Sequence, residues 1–297
     1  MRLRRAQSSR SSTPARRVDE HDSHGQTVLR DAASLSGYSA QREALSPTQT
    51  VQMEVTGAAA QPQKPKKKVS GKAMGRLGKC RDAIKHTKAV MAFGAGNQLA
   101  ALKASNWNSY FRLRIMRDPR CWEISPSVKA ISSQFPNALT AAKADLAHGG
   151  NCGEHAAVAY DYLRSTAGGE NIAFSQADGL DHAFVLMGDL KNDSDQDICV
   201  SDPWPSAATA TVWEDHFAHT ADRADIIQHY SMKADGKNHK SVIAAGLKLS
   251  AKGLRMVNKH LSTKETSDKI AAGEKDGWIW EHDNAASGGR DYDYSER

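Results

Sequence analysis

Gly149-Gly150-Asn151-Cys152-Gly153-Glu154-His155-Ala156 predicts the start of a helix with a cysteine in its first turn, and the other elements of the chain are interpreted from this helix start. The two leading glycines end the preceding element, and helix formers with apolar residues at helical spacing continue to Leu163. The Gly168-Gly169 pair predicts the helix end. Backbone N–H groups and the helix dipole at this N-terminus would favour a Cys152 thiolate and donate to an oxyanion. The alternative to a reactive cysteine is that Cys152 is a small buried side chain that packs as a hydrophobic residue.

A histidine and an aspartate follow on two strand-like segments. His182 opens an apolar run that ends at Gly188, and a second run over residues 198–202 ends with Asp202 before a proline. A hairpin centred on Asn192 would place His182 opposite Asp202, with both side chains on one face. The aspartate would then hold one imidazole nitrogen and leave the other for the thiol. A slip of one residue would put the two side chains on opposite faces.

Three motifs therefore occur in the order cysteine, histidine, aspartate. They are Gly150-x-Cys152-x-Glu154-x-Ala156, His182-Ala183-Phe184-Val185 and Asp202-Pro203. Over residues 149–205 this pattern resembles the core of transglutaminase-like cysteine enzymes, which share the papain-like superfamily fold. The resemblance implies an α+β fold with a papain-like core, a helical N-terminal part and a small antiparallel sheet. It also implies that Cys152 is the nucleophile, His182 the general base and Asp202 the orienting residue.

The side chain that would complete an oxyanion site has three candidates upstream of the nucleophile. These are Asn97, Gln98 and Gln134. Each carries an amide N–H donor of the kind that stabilises a tetrahedral intermediate.

A zinc site is an alternative use of some of the same residues. Cys152, His155, His182 and Cys199 would offer two thiolates and two imidazoles. Only the first two have the short spacing typical of structural zinc sites. Cys199 and Asp202 are three residues apart on one strand, so their side chains are predicted to point to opposite faces. We expect no metal and no cofactor.

The basic charge of the chain lies in its first 70 residues. They hold 12 Lys and Arg against 6 Asp and Glu, and the whole chain has a net charge of +6. Ten serines and no periodic apolar segment predict disorder, since such a stretch cannot bury enough apolar surface to offset its ordering entropy. The lysine-rich run at residues 64–68 fits a solvated linker or a contact with nucleic acid or acidic lipid.

The N-terminus also bears on where the protein acts. It lacks the apolar core of a secretory signal, and no run approaches the roughly 18 apolar residues of a membrane-spanning helix. Its arginine- and serine-rich composition fits an organellar transit segment. It also resembles the secretion tails of bacterial effectors, which implies delivery into a host cell cytoplasm; action in the producer's own cytoplasm is the alternative. Four widely spaced cysteines predict free thiols in a reducing compartment.

Three segments follow from these patterns. Residues 1–70 are a disordered basic tail, 71–235 a papain-like catalytic domain, and 236–297 a C-terminal amphipathic helix (241–261) followed by a polar tail. The aromatic and basic residues at 107–116 fit a nucleic-acid surface or a helix packed on the core, and their helical spacing favours the core.

The predicted function is acyl transfer on a protein substrate. The reaction is that of a protease, a glutamine deamidase or a transglutaminase. The substrate is expected to be a protein, of a host cell if the effector resemblance holds, and no nucleic acid is expected to bind. The alternative is a catalytically inactive papain-like protein that acts by binding a partner.

Overall fold

The structure is a mixed α+β arrangement in which helices pack on an antiparallel sheet. The computed structural model describes residues 65–135, 137–280 and 292–297. The helices are α1 (Gly71–Val90), α2 (Leu99–Ala104), α3 (Asn108–Arg117), α4 (Pro126–Ser132), α5 (Ala138–Ala147), α6 (Cys152–Thr166), α7 (Lys240–Ala244), α8 (Ala251–Val257) and α9 (Thr263–Lys275). The strands are β1 (Lys66–Val69), β2 (Trp122–Glu123), β3 (Asn171–Ala177), β4 (Ala183–Met187), β5 (Cys199–Ser201), β6 (Thr211–Val212), β7 (Ile226–Lys233), β8 (Lys248–Leu249) and β9 (Asp293–Glu296).

Helix α6 is the central element of the fold. The predicted helix start is confirmed, since α6 begins at Cys152 and ends just before the Gly168-Gly169 pair. Ala157 and Val158 pack with α5 in one core cluster. Tyr160 and Leu163 pack with α1 and the sheet in a second cluster. Small alanine side chains over much of the helix let neighbouring elements pack on both sides, so α6 lies between two core clusters.

The main sheet has the strand order β6-β5-β4-β3-β7, with every neighbouring pair antiparallel. Its faces follow the alternation expected of strands. Val185 and Met187 point towards α1 and α6, whereas Phe184 and Leu186 point to the opposite face and pack with Trp213. The end of β5 and the loop after β6 meet on this opposite face of the sheet.

The predicted hairpin between β4 and β5 is present, but its register differs by two residues. Val185 pairs with Ser201 and Met187 with Cys199. The hairpin is therefore centred on Asp193 rather than Asn192. The Asp193 carboxylate accepts hydrogen bonds from the Asp189 backbone (2.8 Å) and Arg76 Nη1 (2.6 Å). A shift of two preserves the strand faces, because side chains alternate with a period of two.

The predicted helix over residues 241–261 is wrong. This segment forms α7, then β8, then α8, and β8 pairs with β2. Gly246 has a φ of 87°, a left-handed conformation that stops the helix. Gly253 packs so closely against the Cys121 carbonyl that a Cβ would lie 2.5 Å from its oxygen. Val242 and Leu247 belong to the same core cluster as α5 and α6, so this segment is part of the core of the protein.

The two ends of the described chain pair with each other. β1 and β9 form a parallel two-stranded sheet, in which Lys67 pairs with Tyr294. The expected disorder of residues 1–70 is therefore wrong for Lys66–Val69, and the expected polar tail is ordered at Asp293–Glu296. The two segments are far apart in the sequence, so no local sequence pattern predicts their pairing. Residues 1–64 lie outside the described residues, and their disorder stays a prediction.

The aromatic and basic segment at residues 107–116 belongs to the core. Trp107 is 4% exposed and Ile115 fully buried, on or next to α3. None of the helices in the described ranges combines the length and apolar character needed to span a bilayer.

Candidate active site

Cys152 lies at the first position of α6, on a tightly built turn. The Asn151 backbone N–H donates to Glu154 Oε2 at 2.7 Å, which fixes the first turn of the helix. The Gly96 N–H donates to Gly150 O at 3.1 Å, so residues 95–96 lie beside the turn. A Cβ on Gly150 would lie 2.3 Å from the Glu154 Cβ, which explains the glycine. Cys152 is half-buried, whereas the chain's other three cysteines are buried.

His182 and Asp202 meet just beyond the ends of β4 and β5. His182 Nε2 lies 2.8 Å from Asp202 Oδ2, and both side chains are buried. The predicted contact is thus present although the predicted register is not, because the two residues retain the same face. The Cys152 side chain lies close to the His182 ring, and its presence acts to raise the pKa of this histidine. With Nε2 occupied by Asp202, Nδ1 is the ring nitrogen left for the sulfur.

The electrostatics of this pair favour a charged histidine next to a charged carboxylate. Burial acts to lower the pKa of His182, but the Asp202 charge, the hydrogen bond to it and the Cys152 contact together raise it well above its usual value. Burial acts to raise the pKa of Asp202, but the His182 charge and the hydrogen bonds from His182 and His216 hold it well below its usual range. The proton is therefore kept on the imidazole near neutral pH.

Asp202 has two further hydrogen-bond donors. His216 Nε2 lies 3.2 Å from Asp202 Oδ2, and the Trp204 backbone N–H donates to Asp202 Oδ1 at 3.2 Å. His216 is completely enclosed, and burial lowers its pKa despite the neighbouring carboxylate. His219 instead contacts Asp195 at 3.2 Å, away from Cys152.

Two of the three oxyanion candidates lie next to the site. Gln98 Nε2 donates to the Trp204 carbonyl at 2.7 Å, and Asn97 Oδ1 accepts from Trp204 Nε1 at 3.2 Å. Trp204 in turn packs on the His182 ring, with centroids 5.1 Å apart. Gln134 is exposed in the turn after α4. The loop with Asn97 and Gln98 is therefore the one that approaches the nucleophile from upstream.

Aromatic side chains surround the histidine. The ring centroids of Phe217 and His182 lie 5.0 Å apart, and Phe217 is 37% exposed. Trp280 contacts Trp204 edge-on at 5.4 Å and is 41% exposed. Phe217 and Trp204 therefore cover the His182 imidazole with apolar rings, which limits water around it.

A half-buried lysine on α1 lies beside the site. Lys88 Nζ donates to the Pro205 carbonyl at 2.6 Å. Burial lowers the pKa of Lys88 to about 8, and the charge of Asp202 acts in the opposite direction. Nothing in the sequence around Lys88 distinguishes it from the other lysines of α1, so sequence reasoning missed it.

The residues of the alternative zinc site do not converge. Cys199 packs in the core with α1, and its thiol contacts the Ala73 carbonyl at 3.5 Å. His155 Nδ1 lies 2.8 Å from the Asn151 carbonyl, and burial lowers the pKa of this histidine to about 4. Among residues 65–135, 137–280 and 292–297 there is no group of three or more His, Cys, Asp and Glu side chains placed to hold a metal ion.

Comparisons with protein-family models, with curated proteins and with solved structures gave no significant match for this chain.

Proposed function

We propose that this chain is a cysteine-dependent acyl-transfer enzyme with a papain-like core, acting on an amide of a protein substrate. The observation that supports this best is the hydrogen-bonded pair His182 and Asp202 beside Cys152, whose sulfur lies at a helix N-terminus. A thiol needs a base within hydrogen-bond reach and a third group that orients the base, and these three residues have that relation.

The first half of the reaction forms a thioester. The Cys152 sulfur attacks the amide carbonyl carbon, and the carbonyl oxygen takes the negative charge. The first N–H groups of α6 have no partner within the helix and can donate to that oxygen. As the C–N bond breaks, the His182 imidazolium gives its proton to the departing nitrogen. Asp202 stabilises the imidazolium before this transfer and fixes the ring orientation.

The second half releases the acyl group. His182 takes a proton from water, the resulting hydroxide attacks the thioester carbon, and the C–S bond breaks to return the thiolate. Water yields a carboxylic acid, which is peptide cleavage if the amide was a main-chain bond and deamidation if it was a glutamine side chain. An amine in place of water yields a new amide, which is transglutamination.

A product analysis tests the proposal. The full chain is incubated with an unfolded, glutamine-containing protein, with and without a primary amine, and the products are read by mass spectrometry. We expect new peptide termini, glutamine-to-glutamate conversion or amine incorporation with the wild-type chain. Each of these is expected to disappear in Cys152→Ala and to persist in Cys121→Ala, which alters a buried cysteine in a different core cluster. Product that persists in Cys152→Ala contradicts the role of Cys152, and the absence of product with the wild-type chain favours a partner-binding protein.

A further inference from the structure

The loop after β6 presents a buried histidine to the carboxylate that holds His182. His216 Nε2 and His182 Nε2 both reach Asp202 Oδ2, at 3.2 Å and 2.8 Å. The Ala218 backbone N–H donates to His216 Nδ1 at 3.3 Å. A ring nitrogen that accepts a hydrogen bond carries no proton, so Nε2 bears the hydrogen and His216 donates to Asp202. His216 is therefore a neutral hydrogen-bond donor to Asp202 Oδ2, in addition to His182.

The surroundings of His216 fix its ring. Phe217 lies 4.6 Å and Phe184 5.0 Å from it between ring centroids. The preceding residue, Asp215, accepts from Lys67 Nζ at 2.8 Å and from the Tyr294 hydroxyl at 2.8 Å. These contacts anchor the loop to the paired chain ends, so the imidazole is presented to Asp202 by a rigid support.

We propose that His216 is a positioning residue, which locks the Asp202 carboxylate in the orientation that holds the His182 ring towards Cys152. This inference rests on the proposed function, and it adds a fourth member to the series of three. One Oδ2 atom shared by two N–H donors, with Trp204 N–H on Oδ1, has little freedom to rotate. Removal of the His216 donor takes one hydrogen bond from Oδ2 of the buried carboxylate and leaves its rotamer less defined.

A pair of substitutions separates positioning from packing. His216→Phe keeps an aromatic ring among Phe184, Trp213 and Phe217 but removes the N–H. His216→Gln removes the ring but keeps an N–H donor at the end of the side chain. The rate of Cys152 alkylation by iodoacetamide at pH 7 is measured on the full chain, with His219→Gln as a nearby control that does not contact Asp202.

We expect His216→Phe to slow alkylation about tenfold, the size of one lost hydrogen bond to a charged group, and His216→Gln to recover most of that loss. A normal rate in His216→Phe, or a loss confined to His216→Gln, overturns the inference. If both variants are slow, the wild-type tautomer decides, read from long-range ¹⁵N–¹H correlations of labelled histidine. Nε2–H on His216 supports positioning, and Nδ1–H overturns it.

The same set of rates separates this inference from the proposed function. If His182→Ala alkylates as fast as wild type, the proposed function fails, whatever His216 does. If His182→Ala is slow and His216→Phe is not, the acyl-transfer proposal stands and only the role of His216 is lost.

Discussion

The buried cluster around His239 gives a pH-dependent stability that the structure allows us to calculate. His239 Nδ1 lies 2.7 Å from Asp161 Oδ2 on α6, and Nε2 lies 2.9 Å from Asp145 Oδ2 on α5. A carboxylate oxygen accepts, so both ring nitrogens carry hydrogen and the imidazole is charged. Burial acts to lower the pKa of His239, but the hydrogen bonds that it donates to Asp145 and Asp161 raise it to about 9.

The sign and size of the effect follow from this pKa. The ordinary value is 6.5, and the rise to about 9 is worth about 3 kcal/mol at about 1.4 kcal/mol per pH unit. Because the folded-state pKa is the higher one, this stabilisation is fully present below pH 6.5 and is lost as the pH rises through about 9. Burial and the charges of His239 and Lys240 lower the pKa of the neighbouring His86.

His239→Gln removes this titration, and urea unfolding followed by tryptophan fluorescence measures the result. We expect the free energy of unfolding of the wild type to fall relative to His239→Gln by about 3 kcal/mol between pH 6.5 and 9.5. His260→Gln, which alters an exposed histidine, should follow the wild type throughout. A wild-type curve parallel to that of His239→Gln over this range would refute the assignment of a charged His239.

Three further predictions concern packing and the site. Gly253→Ala should destabilise the protein, because its Cβ would lie 2.5 Å from the Cys121 carbonyl oxygen. Gly75→Ala should instead stabilise α1 by about 1 kcal/mol, because its Cβ would have no atom within 4 Å. Equal effects of the two substitutions in thermal unfolding would contradict this. Leu163→Ala, at a fully buried position, should cost about 3 kcal/mol in urea unfolding, and a cost below about 1 kcal/mol would show that the two cores do not depend on α6. Asp202→Asn should slow Cys152 alkylation at pH 7, because it removes the charge that keeps the proton on His182, and an unchanged rate would contradict that role.

The parts of the fold with a local periodic pattern are the parts that the sequence predicts. The start of α6 follows from two glycines and a run of helix formers, and the shared face of His182 and Asp202 follows from the two-residue period of strands. The register itself depends on a turn in which Asp193 is held by Arg76, a residue far away in the chain. No pattern within the turn predicts that contact.

Other features depend on contacts between distant segments. The segment 241–261 has the composition of an amphipathic helix, but the left-handed Gly246 and the contact of Gly253 with the Cys121 carbonyl break it in two. The pairing of β1 with β9 joins the ends of the described chain. His216 lies in a loop with no periodicity, so its contact with Asp202 could be found only from the folded structure.

The rate of Cys152 alkylation in the wild type and in His182→Ala, measured from pH 5 to 9, tests the central claim most directly. The other three cysteines are buried, so a single rapid modification reports on Cys152. At pH 6 an ordinary thiol with a pKa of about 8.5 is less than about 1% thiolate and reacts slowly. We predict rapid alkylation of the wild type at pH 6 and at least about a tenfold loss in His182→Ala. Equal rates in the two proteins at pH 6, both typical of an ordinary thiol, would contradict the acyl-transfer account.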